Sequence, residues 1–302
     1  MDLTSELLSS PDINADLEYG QFYHALIKSD VNLESRHHLH SLVSKTLSAK
    51  YLKLFTQSQR FLNIERNTQY LELSQRGYSC FHDQLPNYLS LLPLSELKHN
   101  EVHDLTHLFV NDDNILTLIC DPSLHAIVWK YMDCPAMLTH VKVQYISGVV
   151  PNGNETCFHR DRDDFRQVKL FVYLSDVDVN CHPHEFISDT HLKQYSFELC
   201  NQKSSLSKKD RFFSDNSLNK STEISASDCK KFIGPSGTHL LEDTYALHRR
   251  SPSCTGNRIL LNLTWTITPN QRAEKLLSYN FPVDKTELPD FMKYSLCYIS
   301  SW

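Results

Sequence analysis

The 302-residue chain contains no apolar run of the roughly 18 or more residues that a bilayer-spanning helix requires. Its first segment, MDLTSELLSSPDINADLEYG, lacks both the basic start and the apolar stretch of a secretory signal. It also lacks net positive charge. At a formal −6, there is no electrostatic case for nucleic acid as the main partner. The nine cysteines, odd in number and scattered from Cys80 to Cys297, include no CxxC pair, which argues against a disulfide framework or a zinc ribbon. These absences lead to the expectation of a cytoplasmic protein. Its cysteines should be reduced and mostly small buried apolar groups.

What is present suits a globular chain: hydrophobic residues make up 40% and charged residues 22%. The length allows one large domain, here read as 1–302 with three parts. Residues 1–134 form a mainly helical part, because ADLEYGQFYHALIKS, SRHHLHSLVSKTLSAKYLKLF and LSLLPLSELKH space their apolar residues three and four apart. One more helix is expected over about 115–134, with Asp121 and Pro122 as its start signals.

After Pro135 the period changes to two. HVKVQYIS alternates, VKLFVYLSDV reads as a strand apolar on both faces, and THLLEDTYALH and RILLNLTWTIT are two further strands split by the loop RSPSCTGN. Strands that follow one another without helices between them predict an α+β chain. Its core would be a jelly roll over 135–268, followed by a tail over 269–302. A Ser-, Lys- and Asn-rich stretch, 192–228, reads as an insertion over the sheet. No internal repeat is present.

The candidate chemistry starts at His159-Arg160-Asp161. In an extended segment residues two apart share a side, so one imidazole and one carboxylate can reach the same ion. With 16 histidines and 36 acidic residues such a triplet arises easily by chance, and His99-Asn100-Glu101 is a decoy, set aside because it falls in the helical half. The case rests on a second histidine from a later strand. His248, at the end of THLLEDTYALH, completes a two-His, one-carboxylate set of the kind that holds iron(II). Ten residues on, Arg258 opens the next strand, where its guanidinium can grip a carboxylate through two parallel hydrogen bonds. His239 and Arg249 repeat the spacing, but Arg249 precedes the loop and cannot reach the neighbouring strand. On the last strand Arg258, Leu260, Asn262 and Thr264 share one face, and Ile259, Leu261, Leu263 and Trp265 the other, which can pack on the helical layer. Gln144 is expected to project from the strand before the turn as a second contact to the carboxylate-bearing molecule that Arg258 grips.

The run FHRDRDDF, then VKLFVYLSDVD, PHEFISDTH, GTHLLEDTYALH and GNRILLNL resembles the phytanoyl-CoA dioxygenase-like family of iron/2-oxoglutarate oxygenases over about residues 135–268. Asp189-Thr190-His191 stands where that family often has Gly-Ser-His. The resemblance implies a double-stranded β-helix, Fe(II), O2, and 2-oxoglutarate turned over to succinate and CO2. Asp161, rather than a small residue, favours hydroxylation over halogenation, on a small-molecule substrate. Alternatives are a cupin-like isomerase or hydrolase, which would have no use for Arg258, and an inactive binding module.

Other features have plainer readings. His182-Pro183-His184 is expected to be solvated or packed rather than a second metal site, and His37, His38 and His40 to lie on exposed surface. Lys203, Lys208, Lys209 and Arg211 are solvated or steer an anionic substrate. Arg211-Phe212-Phe213 would suit a lid. Tyr294, Tyr298 and Trp302 are expected to pack on the core or an interface.

Overall fold

The computed structural model describes residues 33–192, 212–213, 228–268 and 271–299. Its α-helices are α1 (Leu33–Lys50), α2 (Leu52–Gln59), α3 (Ile64–Arg76), α4 (Asp113–Ile119), α5 (Pro122–Met132), α6 (Gln271–Leu277) and α7 (Asp290–Ser295). The strands are β1 (Tyr78–His82), β2 (Val102–Asp104), β3 (Met137–Ile146), β4 (Phe158–His159), β5 (Gln167–Tyr173), β6 (His184–Ile187), β7 (Phe212–Phe213), β8 (Cys229–Phe232), β9 (Thr238–Asp243), β10 (His248–Arg250) and β11 (Arg258–Thr266).

Two helices end where their residues dictate. Asn63 accepts the Arg66 N–H at 2.7 Å to start α3, and Gly77 stops it in the left-handed region at φ 82°. The Asp121 side chain accepts the Ser123 N–H at 2.8 Å, and Pro122 supplies a fixed φ in the first turn of α5. The segment expected as one helix over 115–134 is therefore two, α4 and α5, broken at this cap.

The strands form two antiparallel sheets, ordered β1-β9-β5-β11-β3-β2 and β7-β4-β10-β6-β8. From β3 onward the chain passes back and forth between them, which is the winding of a double-stranded β-helix. Period-two alternation then sorts the side chains. Ile259, Leu261, Leu263 and Trp265 of β11, with Val168, Leu170 and Val172 of β5, face outward onto Leu124, Ile127 and Val128 of α5. Leu260, Phe171, Tyr173 and Leu240 face inward, toward Phe186 and Phe232 of the opposite sheet.

Several expectations change. THLLEDTYALH is not one strand: a turn over 244–247 divides β9 from β10, so His248 begins a strand of the second sheet. LSLLPLSELKH forms two single 3-10 turns, Tyr88–Ser90 and Leu94–Glu96, because Pro93 interrupts it. The first part also supplies β1 and β2 to the edges of the larger sheet. The cysteines are free among the described residues, but only Cys134 and Cys254 are buried. ADLEYGQFYHALIKS, Trp302 and all of the insertion except its ends and Phe212–Phe213 lie outside the described residues.

Candidate metal centre

His159, Asp161 and His248 each offer one donor atom, and the three atoms lie within 4.8 Å of one another. Among the described residues this is the one such grouping. It is built by backbone pairing. His159 ends β4 and is the register partner of His248, which opens β10, so the two rings stand 4.4 Å apart. Asp161 lies just beyond β4, where its N–H donates to the Thr244 carbonyl at 2.9 Å. Arg160 points away from the group and donates to the carbonyls of Thr190 (2.7 Å) and Tyr245 (2.6 Å). The middle residue of the triplet thereby ties the end of β4 to the turn that precedes His248. Thr190 adds to this by accepting the Leu247 N–H at 2.7 Å. Downstream, Asp164 accepts the N–H groups of Ile267 (2.6 Å) and Thr268 (3.0 Å), anchoring the same loop to the end of β11.

Hydrogen bonding settles the tautomers. Nδ1 of His159 lies 2.9 Å from the Cys157 carbonyl, and Nδ1 of His248 lies 3.0 Å from the Ala246 carbonyl. A carbonyl can only accept, so both Nδ1 atoms carry protons and both Nε2 atoms face inward, where a neutral ring offers its lone pair. Those Nε2 atoms lie 3.8 and 3.5 Å from the Asp161 oxygens. Burial, and then the neighbouring His248, push the His159 imidazole down to about 4, which keeps it neutral and a donor at physiological pH. Burial would raise the Asp161 carboxyl, but Lys169 and His248 hold it well below the usual range, so it is an anion.

Arg258 is 3% exposed at the start of β11. Its Nη1 donates to the His182 carbonyl, while its Nε is buried without a partner. Burial lowers this guanidinium to about 10, still a cation. Gln144 pairs with Leu260, one inward-facing step along the sheet from Arg258, and its amide makes no hydrogen bond to the described residues.

Sequence reasoning passed over Lys169. β5 was read as apolar on both faces, but Lys169 is buried on the inward face, with Nζ 2.5 Å from Asp161 Oδ2 and 4.0 Å from Asp163. A lysine inside so apolar a run was the available signal, since a buried cation needs a partner.

The rejected candidates find ordinary partners. His99 Nδ1 lies 2.6 Å from the Ser147 hydroxyl, in a turn and not the helix assumed for it. His182 is buried against the Gly148 carbonyl (2.9 Å), and His184 pairs with Glu242 (2.9 Å), so this loop is packed. His40, expected on the surface, is buried with Nε2 donating to the Met132 carbonyl at 2.9 Å, while His37 and His38 are exposed. His239 is buried and stacks on Phe81, and Arg249 binds Glu185 at 2.5 Å.

A scan against protein-family models finds no match, and a search of curated proteins finds none. Among solved structures the chain is similar to SnoN, a non-heme alpha-ketoglutarate-dependent epimerase from nogalamycin biosynthesis, at 13% identity and TM-score 0.43, over 67% of this chain and 82% of that one. It is similar to SnoK, a non-heme alpha-ketoglutarate-dependent carbocyclase from nogalamycin biosynthesis, at 13% identity and TM-score 0.44, over 72% and 91%. A third is EctD from S. alaskensis with bound Fe, at 12% identity and TM-score 0.43, over 78% and 87%. These values describe a loose likeness of shape. The double-stranded β-helix rests on the strand order and register.

Proposed function

We propose that the chain is an iron(II)- and 2-oxoglutarate-dependent oxygenase of a small molecule, with His159, Asp161 and His248 as metal ligands and Arg258 as the co-substrate anchor. The observation that carries this reading is the tautomer-fixed pair of Nε2 atoms converging with one carboxylate, beside a buried arginine with an unpaired Nε. Two imidazoles and a carboxylate on one side of an ion suit iron(II) and leave its other positions open. The resemblance of 135–268 to the phytanoyl-CoA dioxygenase-like family supports the same assignment.

The chain's own groups have distinct tasks. The Cys157 and Ala246 carbonyls orient the two imidazoles, and Lys169 holds Oδ2 of Asp161. Arg258, partly committed to His182, has donors left for the distal carboxylate of 2-oxoglutarate, and the free Gln144 amide lies one step away. Once bound, iron with 2-oxoglutarate and O2 would supply the oxidising power for an unactivated C–H bond, leaving the protein to position reactants and exclude water. We assign hydroxylation as the outcome because an aspartate, rather than a small residue, stands at 161.

The test is anaerobic titration of the protein with iron(II) and then 2-oxoglutarate. A weak visible charge-transfer band should appear, with succinate formed on admitting air. His159→Ala should abolish both. If the wild-type protein gives neither band nor succinate, the assignment is wrong, and a cupin-like or non-catalytic reading takes its place.

A further inference from the structure

The inward face of the larger sheet is a grid set by register. His140, Thr264 and Lys169 form one row across β3, β11 and β5. Lys142, Asn262 and Phe171 form the next, and Gln144, Leu260 and Tyr173 the one after, toward Arg258. At about 4.8 Å between strands and 3.3 Å per residue, Lys142 stands roughly 12 Å at its Cα from Lys169, the lysine that holds Asp161.

The side chains of β3 in this grid are uncommitted. Lys142 is largely withdrawn from water yet makes no hydrogen bond or ion pair with any described residue. Burial lowers its ammonium from the ordinary value, against the opposing pull of Asp104 and Glu155, while Lys275 and Arg272 add to the lowering. The carboxylates acting on it, Asp104 and Glu155, do so only through space. Asp104 is already engaged by Thr106 (2.5 Å), Tyr279 (3.2 Å) and Lys275 (3.3 Å). His140 also has no hydrogen-bond partner among the described residues. Its imidazole is driven down to about 2 by burial and by Arg272, Lys169, Lys142 and Lys275. Arg272 closes the group, 2.7 Å from Asp163 on the loop that follows the metal ligand Asp161. Lys169, Arg272 and Lys275 already answer the carboxylates of Asp161, Asp163 and Asp104, which leaves Lys142 as the cation of this group with no ion pair among the described residues.

We propose that Lys142, with His140 and the Asn262 amide beside it, binds an anionic head group, a phosphate or a carboxylate, of the oxidised substrate. This site lies along the sheet from Arg258, beyond the row occupied by Gln144, and is separate from the co-substrate's anchor. Only its description as the substrate's site rests on the oxygenase reading. The Lys142 ammonium has no carboxylate of its own among the described residues, and a ligand anion would supply that counter-charge.

The experiment is calorimetric titration of the anaerobic iron(II)-loaded protein with inorganic phosphate and with acetate, each with and without 2-oxoglutarate. Saturable binding of either anion to the wild type is expected, weakened at least tenfold in Lys142→Met and kept within threefold in Lys142→Arg. The affinity for 2-oxoglutarate, read on the same Lys142→Met sample, should change less than twofold, which also shows that the variant is folded. Preference for phosphate or for acetate identifies the head group. No binding of either anion overturns the proposal, as does unchanged binding in Lys142→Met, which would place the anion on the metal. A matching loss of 2-oxoglutarate affinity also overturns it, because Lys142 would then belong to the co-substrate. If the wild type binds anions through Lys142 but not 2-oxoglutarate, the oxygenase reading fails and the anion site stands.

Discussion

Arg258 illustrates how one side chain takes meaning from its surroundings. A guanidinium at 3% exposure, with one nitrogen on a carbonyl and Nε unpaired, has a donor left for the carboxylate that the proposed co-substrate would bring. Arg258→Met should weaken 2-oxoglutarate binding by about thirtyfold or more, on the order of the 2–5 kcal/mol lost when one partner of a buried charge pair is truncated. Iron affinity should stay nearly unchanged, since His159, His248 and Asp161 sit on β4, on β10 and on the loop that follows β4. Arg258→Lys should recover part of the loss, as a point charge replaces a planar fork. Equal 2-oxoglutarate affinity in wild type and Arg258→Met would remove Arg258 from the site.

At the scale of elements, small devices lock the helical layer to the barrel. Gly77 ends α3 in the left-handed region, and a Cβ added there would stand 2.6 Å from His191 Nδ1. Gly77→Ala should therefore cost about 1–3 kcal/mol, from φ strain plus displacement of that ring. A urea midpoint equal to wild type would refute this. Two buried imidazoles join elements in the same way. His40 ties α1 to α5 through Met132. His125 on α5 donates from Nε2 to the Ile119 carbonyl (2.9 Å) and accepts the Trp265 Nε1–H of β11 at 3.1 Å. A proton on His125 Nδ1 would displace the tryptophan donor. Burial places both imidazoles near 4, against 6.5 for the ordinary side chain. Above pH 6.5 both states are neutral and nothing is lost. As pH falls from 6.5 to 4 the unfolded chain takes up protons that the folded one refuses. Each histidine then removes up to about 3 kcal/mol of stability. Urea midpoints should fall between pH 7 and pH 5, and less steeply in His40→Gln, whose amide can still donate to Met132.

For the whole molecule, the larger sheet divides labour between its faces. One face is bolted to the helices through Trp265, Leu263 and Leu261, while the other carries the polar grid and the arginine. Trp265→Ala should lower stability by about 3–5 kcal/mol, seen as a fall in Tm, because it removes a fully buried indole and orphans its hydrogen bond to His125. Iron affinity of the folded fraction should change little. A large drop in metal affinity at unchanged Tm would show that the faces are coupled.

Much of this was written locally. Alternation in RILLNLTWTIT separates Arg258 and Leu260 from Ile259 and Trp265, because side chains in a strand switch faces at every residue. Asp121-Pro122 marks a helix start by capping chemistry alone. The grouping of His159 with His248, 89 positions apart, could be suspected from residue types and order. Its geometry came from the pairing of β4 with β10, and its tautomers from the carbonyls of Cys157 and Ala246. The division of THLLEDTYALH into two strands was hidden, since nothing in an apolar run states which sheet each half will join. Lys169, Lys142 and His140 were hidden too: whether a lysine on a strand meets solvent or a carboxylate from another segment depends on what the fold brings over it. Sequence alone thus determined which residues could do the chemistry and on which face of a strand each stands. Tertiary structure decided which faces were enclosed together, because burial and charge pairing arise only between segments far apart in the chain.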